Sequence, residues 1–259
     1  MSTFLFDKIV FGPVKSRRLG VSLGINLLPL TRKLCNFDCV YCECGLNSSE
    51  TDSTMVLPTR KEVYEALETR LQQMVQSGEQ PDVITFAGNG EPTMHPQFSE
   101  IIEDTIALRN TYFTSAFISV LSNSTMLHKS SVVEALRRVD QNIMKLDAGL
   151  LSTIEKINKP VGNYNLDKIT AQLRQFDSKL IIQSMFTRGN VDGIWVDNTT
   201  DNDLKAWVKI IEIIRPRKVM IYTIDRDTPF EGLEKIGRKE LDTIGKRIEL
   251  LGIEVQISG

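Results

Sequence analysis

Residues 35–44 read Cys35-Asn36-Phe37-Asp38-Cys39-Val40-Tyr41-Cys42-Glu43-Cys44 and hold all four cysteines of the chain. Thiolates crowded this closely would repel one another unless a cation neutralised them, so the stretch reads as a site for a thiophilic metal. The spacing of the first three, C-x3-C-x2-C, suits an iron–sulfur cluster better than zinc. Structural zinc usually draws its ligands from two separated pairs, and the only histidines, His95 and His128, each stand alone. A closed zinc loop using all four cysteines, Cys44 included, is the alternative. Three cysteines on a four-iron cluster would leave one iron without a protein ligand. Such an iron could bind and activate a small molecule, as the open position of catalytic zinc does.

Further polar residues stand where apolar runs end. Gly88-Asn89-Gly90-Glu91-Pro92 closes the run 82–87. Its glycines let backbone approach a ligand closely, and Glu91 can receive a cationic amine. Asn123 follows the run 116–121. Lys145 and Asp147, two apart, share one face of the run 142–147. Gln183 lies in the run 179–186 and Tyr222 in 218–224. Near the N-terminus, Arg17 and Arg18 read either as a solvated turn or as an anion contact for a carboxylate or phosphate. His95 reads as a loop or helix-start residue, with a substrate contact as the sharper alternative.

These runs must be strands, because helical patterns alternate with them. The run 21–28 reads as a buried strand ended by Pro29, after turns marked by Gly12, Pro13 and Gly20. Residues 47–54 are polar and irregular. Thr59 caps a helix to Gly78, with Glu62 as its capping-box partner. Strands at 82–87, 116–121, 142–147, 179–186 and 218–224 alternate with helices at 101–108, 130–138, 166–176, 204–214 and 238–251. Residues 253–257 can add a short last strand. Six βα units of this kind imply a parallel sheet with right-handed crossovers and a site at the C-terminal ends of the strands. The fold class is α/β. One domain is expected over 1–259, with a lead-in at 1–19 and a barrel at 20–259.

Composition is that of an ordinary globular protein, with 41% hydrophobic and 25% charged residues. A net charge of −2 gives no general pull toward nucleic acid. No run approaches the about 18 apolar residues of a membrane helix, and residues 1–10 lack the pattern of a signal peptide. Clustered, reduced cysteines point to the cytoplasm.

The C-x3-C-x2-C loop, with aromatic Tyr41 before its last cysteine, resembles the signature of the radical S-adenosylmethionine (SAM) enzymes. Gly88–Glu91 resembles that family's Gly-Gly-Glu motif, departing from it at Asn89. The resemblance implies a partial (β/α)6 barrel and a 4Fe-4S cluster on Cys35, Cys39 and Cys42, with SAM on the open iron and Cys44 turned away. It implies reductive cleavage of SAM and hydrogen abstraction from a substrate by a 5′-deoxyadenosyl radical. It places Tyr41 near the adenine and Gly88, Asn89, Gly90 and Glu91 at the methionyl amine. Asn123, Asp147, Gln183 and Tyr222 fall around SAM, with Lys145 beside Asp147. A flavodoxin or ferredoxin is implied as electron donor. The lead-in Gly-Pro-Val-Lys-Ser-Arg-Arg-Leu-Gly, together with Gly-Asn-Gly-Glu-Pro-Thr-Met-His-Pro and Leu-Asp-Ala, looks like a branch related to the tRNA wyosine synthases. Those enzymes use further cysteines for a second cluster, and this sequence has none outside 35–44. The substrate is left open between a tRNA base and a small metabolite. A glycyl-radical activase acting on a protein partner is the alternative, and a non-catalytic zinc-loop protein a third reading.

Overall fold

A computed structural model describes residues 4–16, 18–48 and 56–259. Arg17 and residues 49–54 of the polar stretch lie outside the described residues. In chain order the elements are β1 (Val10–Ser16), β2 (Gly20–Ile25), α1 (Arg60–Ser77), β3 (Val83–Phe86), α2 (Phe98–Tyr112), β4 (Phe117–Ser122), α3 (Ser130–Arg138), β5 (Gln141–Lys145), α4 (Leu151–Ile157), α5 (Leu166–Leu173), β6 (Leu180–Val191), β7 (Ile194–Asp197), α6 (Asp201–Ile214), β8 (Lys218–Thr223), β9 (Leu233–Lys235), α7 (Arg238–Glu249) and β10 (Glu254–Ser258).

The sheet order is β1-β2-β3-β4-β5-β6-β8-β10. From β2 to β10 every neighbouring pair is parallel. Strand order follows chain order, so the sheet curls one way and covers itself with helices on its outer face. Outward residues such as Leu23, Ile84, Phe86, Val120, Met144, Ile182 and Ile221 pack with Leu67, Leu71, Ile102, Leu136, Trp207 and Ile244 of the helices in one core. Inward residues alternate with them. Low in the barrel Ser22 bonds Thr85 at 2.8 Å and Ser119 bonds Gln141 at 2.7 Å. Above them Ile143, Ile181 and Met220 pack with Leu19 and Leu121.

The barrel is partial. At the far edge Gln256 of β10 donates to the carbonyl of Arg18, just ahead of β2, at 3.2 Å. Leu19, partly buried, packs against Ile143, Ile181 and Met220 on the inner face. No described helix is long and apolar enough to cross a membrane.

Several boundaries differ from the sequence reading, each for a local reason. β2 stops at Ile25, because the Asn26 side chain bonds the backbone of Leu28 through both its oxygen and its nitrogen and turns the chain. Residues 10–16, read as turns around Gly12 and Pro13, form β1 antiparallel to β2 with a register shift between Phe11 and Val14. An edge strand tolerates proline and a bulge. The helix read over 166–176 is α-helical only to Leu173 and continues as a 3-10 turn. β6 runs five residues past the expected strand and pairs with β7 and β9. α4, β7 and β9 were not expected.

The α1 cap forms as the sequence predicts: Thr59 Oγ1 accepts from Glu62 N, and Glu62 accepts from Thr59 N at 2.7 Å. Thr59→Ala is therefore expected to cost about 1 kcal/mol. Urea denaturation reads this as a lower midpoint with unchanged slope, and an unchanged midpoint would contradict the cap.

Candidate functional site

The cysteine loop is held like an extra strand between two parts of the barrel mouth. On one side Leu34 N donates to Asn89 O at 2.8 Å and Glu91 N donates to Leu34 O at 3.1 Å, a parallel bridge between Leu34 and Gly90. On the other side Asp38 N donates to Asn158 O, Val40 N to Ile157 O and Val161 N to Asn36 O, each at 2.9 Å. Asn47 braces the loop from within. It accepts from Cys35 N at 3.0 Å and donates to the carbonyl of Cys35 at 2.9 Å.

The glycines of the 88–91 turn serve this docking. A Cβ on Gly90 would stand 1.8 Å from Leu34 O, and one on Gly88 would stand 2.5 Å from Asn26 Oδ1. Both residues have φ near +138°, a region L side chains rarely adopt. Asn89 turns its side chain away from the site. It donates to Pro29 O and Phe6 O and accepts from Phe6 N, tying the N-terminal segment to the turn.

One cavity of about 260 Å³ opens at the C-terminal ends of the strands. Cys35, Cys39 and Cys42 line it, with Lys33, Tyr41, Gly88, Gly90, Glu91, Asn123, Lys145, Gln183, Met185 and Tyr222. The sequence expectations thus come together at one place, apart from Asn89, Asp147 and Cys44, which are not among the lining residues. Cys44 Sγ donates to Gly88 O at 3.4 Å. Among the described residues no three His, Cys, Asp or Glu side chains stand close enough to hold a single metal ion.

The thiols differ sharply. Burial, then the Glu91 carboxylate, pushes Cys35 well above the ordinary thiol range. Burial pushes Cys39 up to about 11, against the pull of Lys145. Cys42 is lowered to about 6, chiefly by the hydrogen bond from Cys44 and then by Lys33, against burial. Cys44 moves in the opposite direction as the donor of that bond. Lys33 is buried, pairs with Asp38 at 3.2 Å and donates to Gly45 O at 2.9 Å. Burial opposes its charge, but Cys42, Cys35, Cys39 and Asp38 together hold its pKa above the usual lysine value.

Amides reach two of the sulfurs. Asn123 Nδ2 lies 3.6 Å from Cys35 Sγ, and Asn158 Nδ2 lies 3.4 Å from Cys39 Sγ. Asn158 also donates to Tyr41 Oη at 3.1 Å and to Asp147 at 2.6 Å. Asp147 accepts from the Tyr41 hydroxyl and, through its other oxygen, from Met185 N at 2.9 Å. Lys145 pairs with Asp147 at 3.4 Å and donates to Tyr41 Oη at 2.8 Å. Asp147 therefore stands behind Tyr41 and fixes its ring. Sequence reasoning did not single out Lys33, Asn47 or Asn158. Their partners lie in other parts of the chain or across a loop, and no local motif marks them.

Glu91 is buried and occupied. It accepts from Thr93 N at 3.1 Å, from the Thr93 hydroxyl and from Asn123 N at 2.6 Å, with Ser122 as a further donor. Burial raises its pKa, and these bonds hold it back. It joins the end of β3 to the end of β4 while one edge faces the cavity. His95 is a loop contact: its Nδ1 accepts from Gln97 N, so Nε2 carries the proton and donates to Pro58 O at 2.8 Å.

No family model matches the chain. A UPF0026 protein of Methanocaldococcus jannaschii is 33% identical over 94% of this chain and 75% of its own length. One of Helicobacter pylori is 30% identical over 90% of this chain and 71% of its own length. A Brachyspira hyodysenteriae protein named GTPase Obg is 28% identical over 98% of this chain, which spans only 35% of that protein. Among solved structures, a radical SAM methyltransferase from Sphaerobacter thermophilus superposes with TM-score 0.67 at 12% identity, over 92% of this chain and 65% of that one. Streptococcus suis SuiB bound to S-adenosylmethionine gives 0.63 at 14%, over 91% of this chain and 50% of that one. Archaeal TYW1 gives 0.54 at 12%, over 88% and 71%. At these identities the likeness speaks for the fold, which is the partial α/β barrel of radical SAM proteins.

Because Gly90 allows the cysteine loop to dock, Gly90→Ala is expected to lose on the order of 2–3 kcal/mol from strain and overlap. Urea denaturation checks the loss. A variant as stable as the parent would show that the loop does not depend on this contact.

Proposed function

The chain belongs to the UPF0026 family, and we propose that it is a radical SAM enzyme, with a 4Fe-4S cluster on Cys35, Cys39 and Cys42 and SAM beside it. The observation that carries this reading is the lining of one strand-end cavity by those three thiols, while Cys44, within reach of Cys42 and Gly88 O, is not part of that lining. The donor set fits a soft, positively charged group. Cys35 and Cys39 are buried thiols whose burial raises their pKa, and cysteine sulfurs are what an iron–sulfur cluster takes. The three line a cavity rather than converge on a point, which suits a group of several irons better than one zinc ion.

Bound there, the cluster and SAM would supply reductive cleavage of the S–C5′ bond and so a radical able to take hydrogen from a substrate. The chain's own residues prepare the place. Lys33 offsets thiolate charge from beneath the loop. Asn123 and Asn158 direct amide N–H groups at Cys35 and Cys39 sulfur, and such bonds tune a cluster's potential. Asp147, Lys145 and Asn158 lock the Tyr41 hydroxyl and so immobilise its ring on the cavity wall. Gly90 and the cavity-facing edge of Glu91 offer acceptors for an amine, and Gln183, Met185 and Tyr222 form the opposite wall.

The single unit over 1–259, with its lead-in at 1–19, is part of this reading. So are a cytoplasmic setting and a flavodoxin or ferredoxin as reductant. The lead-in motif supports a place beside the branch related to the tRNA wyosine synthases, without that branch's second cluster.

Anaerobically prepared protein is expected to hold about four irons and four sulfides per chain and, with reductant and SAM, to release 5′-deoxyadenosine and methionine. Alanine at Cys35, Cys39 or Cys42 should remove most of the iron, whereas Cys44→Ser should keep it. Stoichiometric zinc without iron, or cluster-loaded protein that leaves SAM intact, would sink the reading.

A further inference from the structure

Among the described residues, three cations line the cavity: Lys33, Lys145 and Arg18. Lys33 is paired with Asp38 and Lys145 with Asp147. Arg18 has no carboxylate partner among the described residues. Its Nη1 is fully buried and makes no hydrogen bond. Its guanidinium lies 4.3 Å from the centroid of the Tyr222 ring, a ring that also lies under Lys145 Nζ at 5.9 Å. A ring face stabilises a cation modestly. It does not provide the in-plane acceptors that a guanidinium fork requires. A buried guanidinium N–H without an acceptor is costly, and native proteins explain such groups by function or by a missing partner.

The placement of Arg18 is built. It sits in the turn between β1 and β2, at the end of the barrel opposite the cysteine loop. Ser16 Oγ accepts from the N–H groups of Arg18 and Leu19, Gln256 holds the Arg18 carbonyl, and Leu19 packs against the interior cluster. Arg18 thus enters from the lower end of β2 and reaches the cavity with its side chain. Across the cavity, Glu91 is already occupied by Thr93 and Asn123.

We propose that Arg18 is the substrate's anchor: the substrate carries an oxyanion, a carboxylate or a phosphate, which pairs with the Arg18 guanidinium at the cavity floor and turns its other end toward the cysteines. This rests on the radical SAM reading for the word substrate, but the anion site itself stands on this chain's residues. Tyr222 and Gln183, whose hydroxyl and carbonyl stand 3.5 Å apart, flank the anchor and select what lies next to the charge.

The test is a ligand-observed NMR titration of the anaerobically prepared full chain with acetate, inorganic phosphate and neutral acetamide at constant ionic strength. Saturable binding of one of the two anions, without binding of acetamide, is the expected result. Acetate alone would mark a carboxylic acid, and phosphate alone a phosphorylated substrate. Arg18→Gln should weaken that binding about tenfold or more, the loss of a charge-assisted hydrogen bond. Arg18→Lys should restore part of it, which a merely structural role of the turn would not. Lys205→Gln, on the exposed face of α6, should leave it unchanged. Equal binding to the parent and Arg18→Gln, or no saturable anion binding at all, would overturn the proposal. So would displacement of the bound anion by SAM, since Arg18 would then be reading SAM's own carboxylate. Failure of SAM to bind would count against the radical SAM reading alone, because the acetate and phosphate titrations are read without it.

Discussion

Backbone pairing on both sides of the cysteine loop is the constraint on which the site depends. Buried peptide groups must find partners, and a loop that carries three thiols into a cavity has few of its own. Leu34 takes its partners from Asn89 and Glu91, while Asn36, Asp38 and Val40 take theirs from the end of α4 and the residues that follow it. The close approach at Leu34 requires the bare backbone of Gly90. Two sites distant in sequence are thereby locked in one register, and the cysteines inherit the precision of the sheet.

The electrostatics follow from that placement. Thiols set into an enclosed mouth resist ionisation, and Cys35 and Cys39 do so strongly. Lys33 below the loop and Lys145 opposite it partly counter this, but each is tied to a carboxylate of its own. One cavity thus brings together the cysteine sulfurs and, against Tyr222, the Arg18 guanidinium.

Much of this was legible along the chain because its signals are short in range. The capping box of Thr59 and Glu62, the alternation of apolar strands with helices, and the cysteine spacing each fit within a few residues. The strands β7 and β9 were not legible, since they are three or four residues long and exist by pairing with the extension of β6. α4 spans two turns and has no side-chain cap to announce it. At the site, the 88–92 turn was recognisable, but the hydrogen bonds its side chains make within the fold were not. Asn89 looks like a ligand group in the motif and instead fastens Phe6. Glu91 spends its carboxylate on Thr93 and Asn123. Lys33 and Asn158 act across distances that no local pattern encodes.

The claim at the centre of this account is that three cysteines hold a cluster whose remaining iron is free to take SAM. Electron spin resonance of the anaerobically prepared, reduced protein, recorded before and after addition of SAM, tests it most directly. The account predicts an iron–sulfur signal that changes shape when SAM is added. A signal that SAM leaves unaltered, or reduced protein with no cluster signal at all, would contradict it.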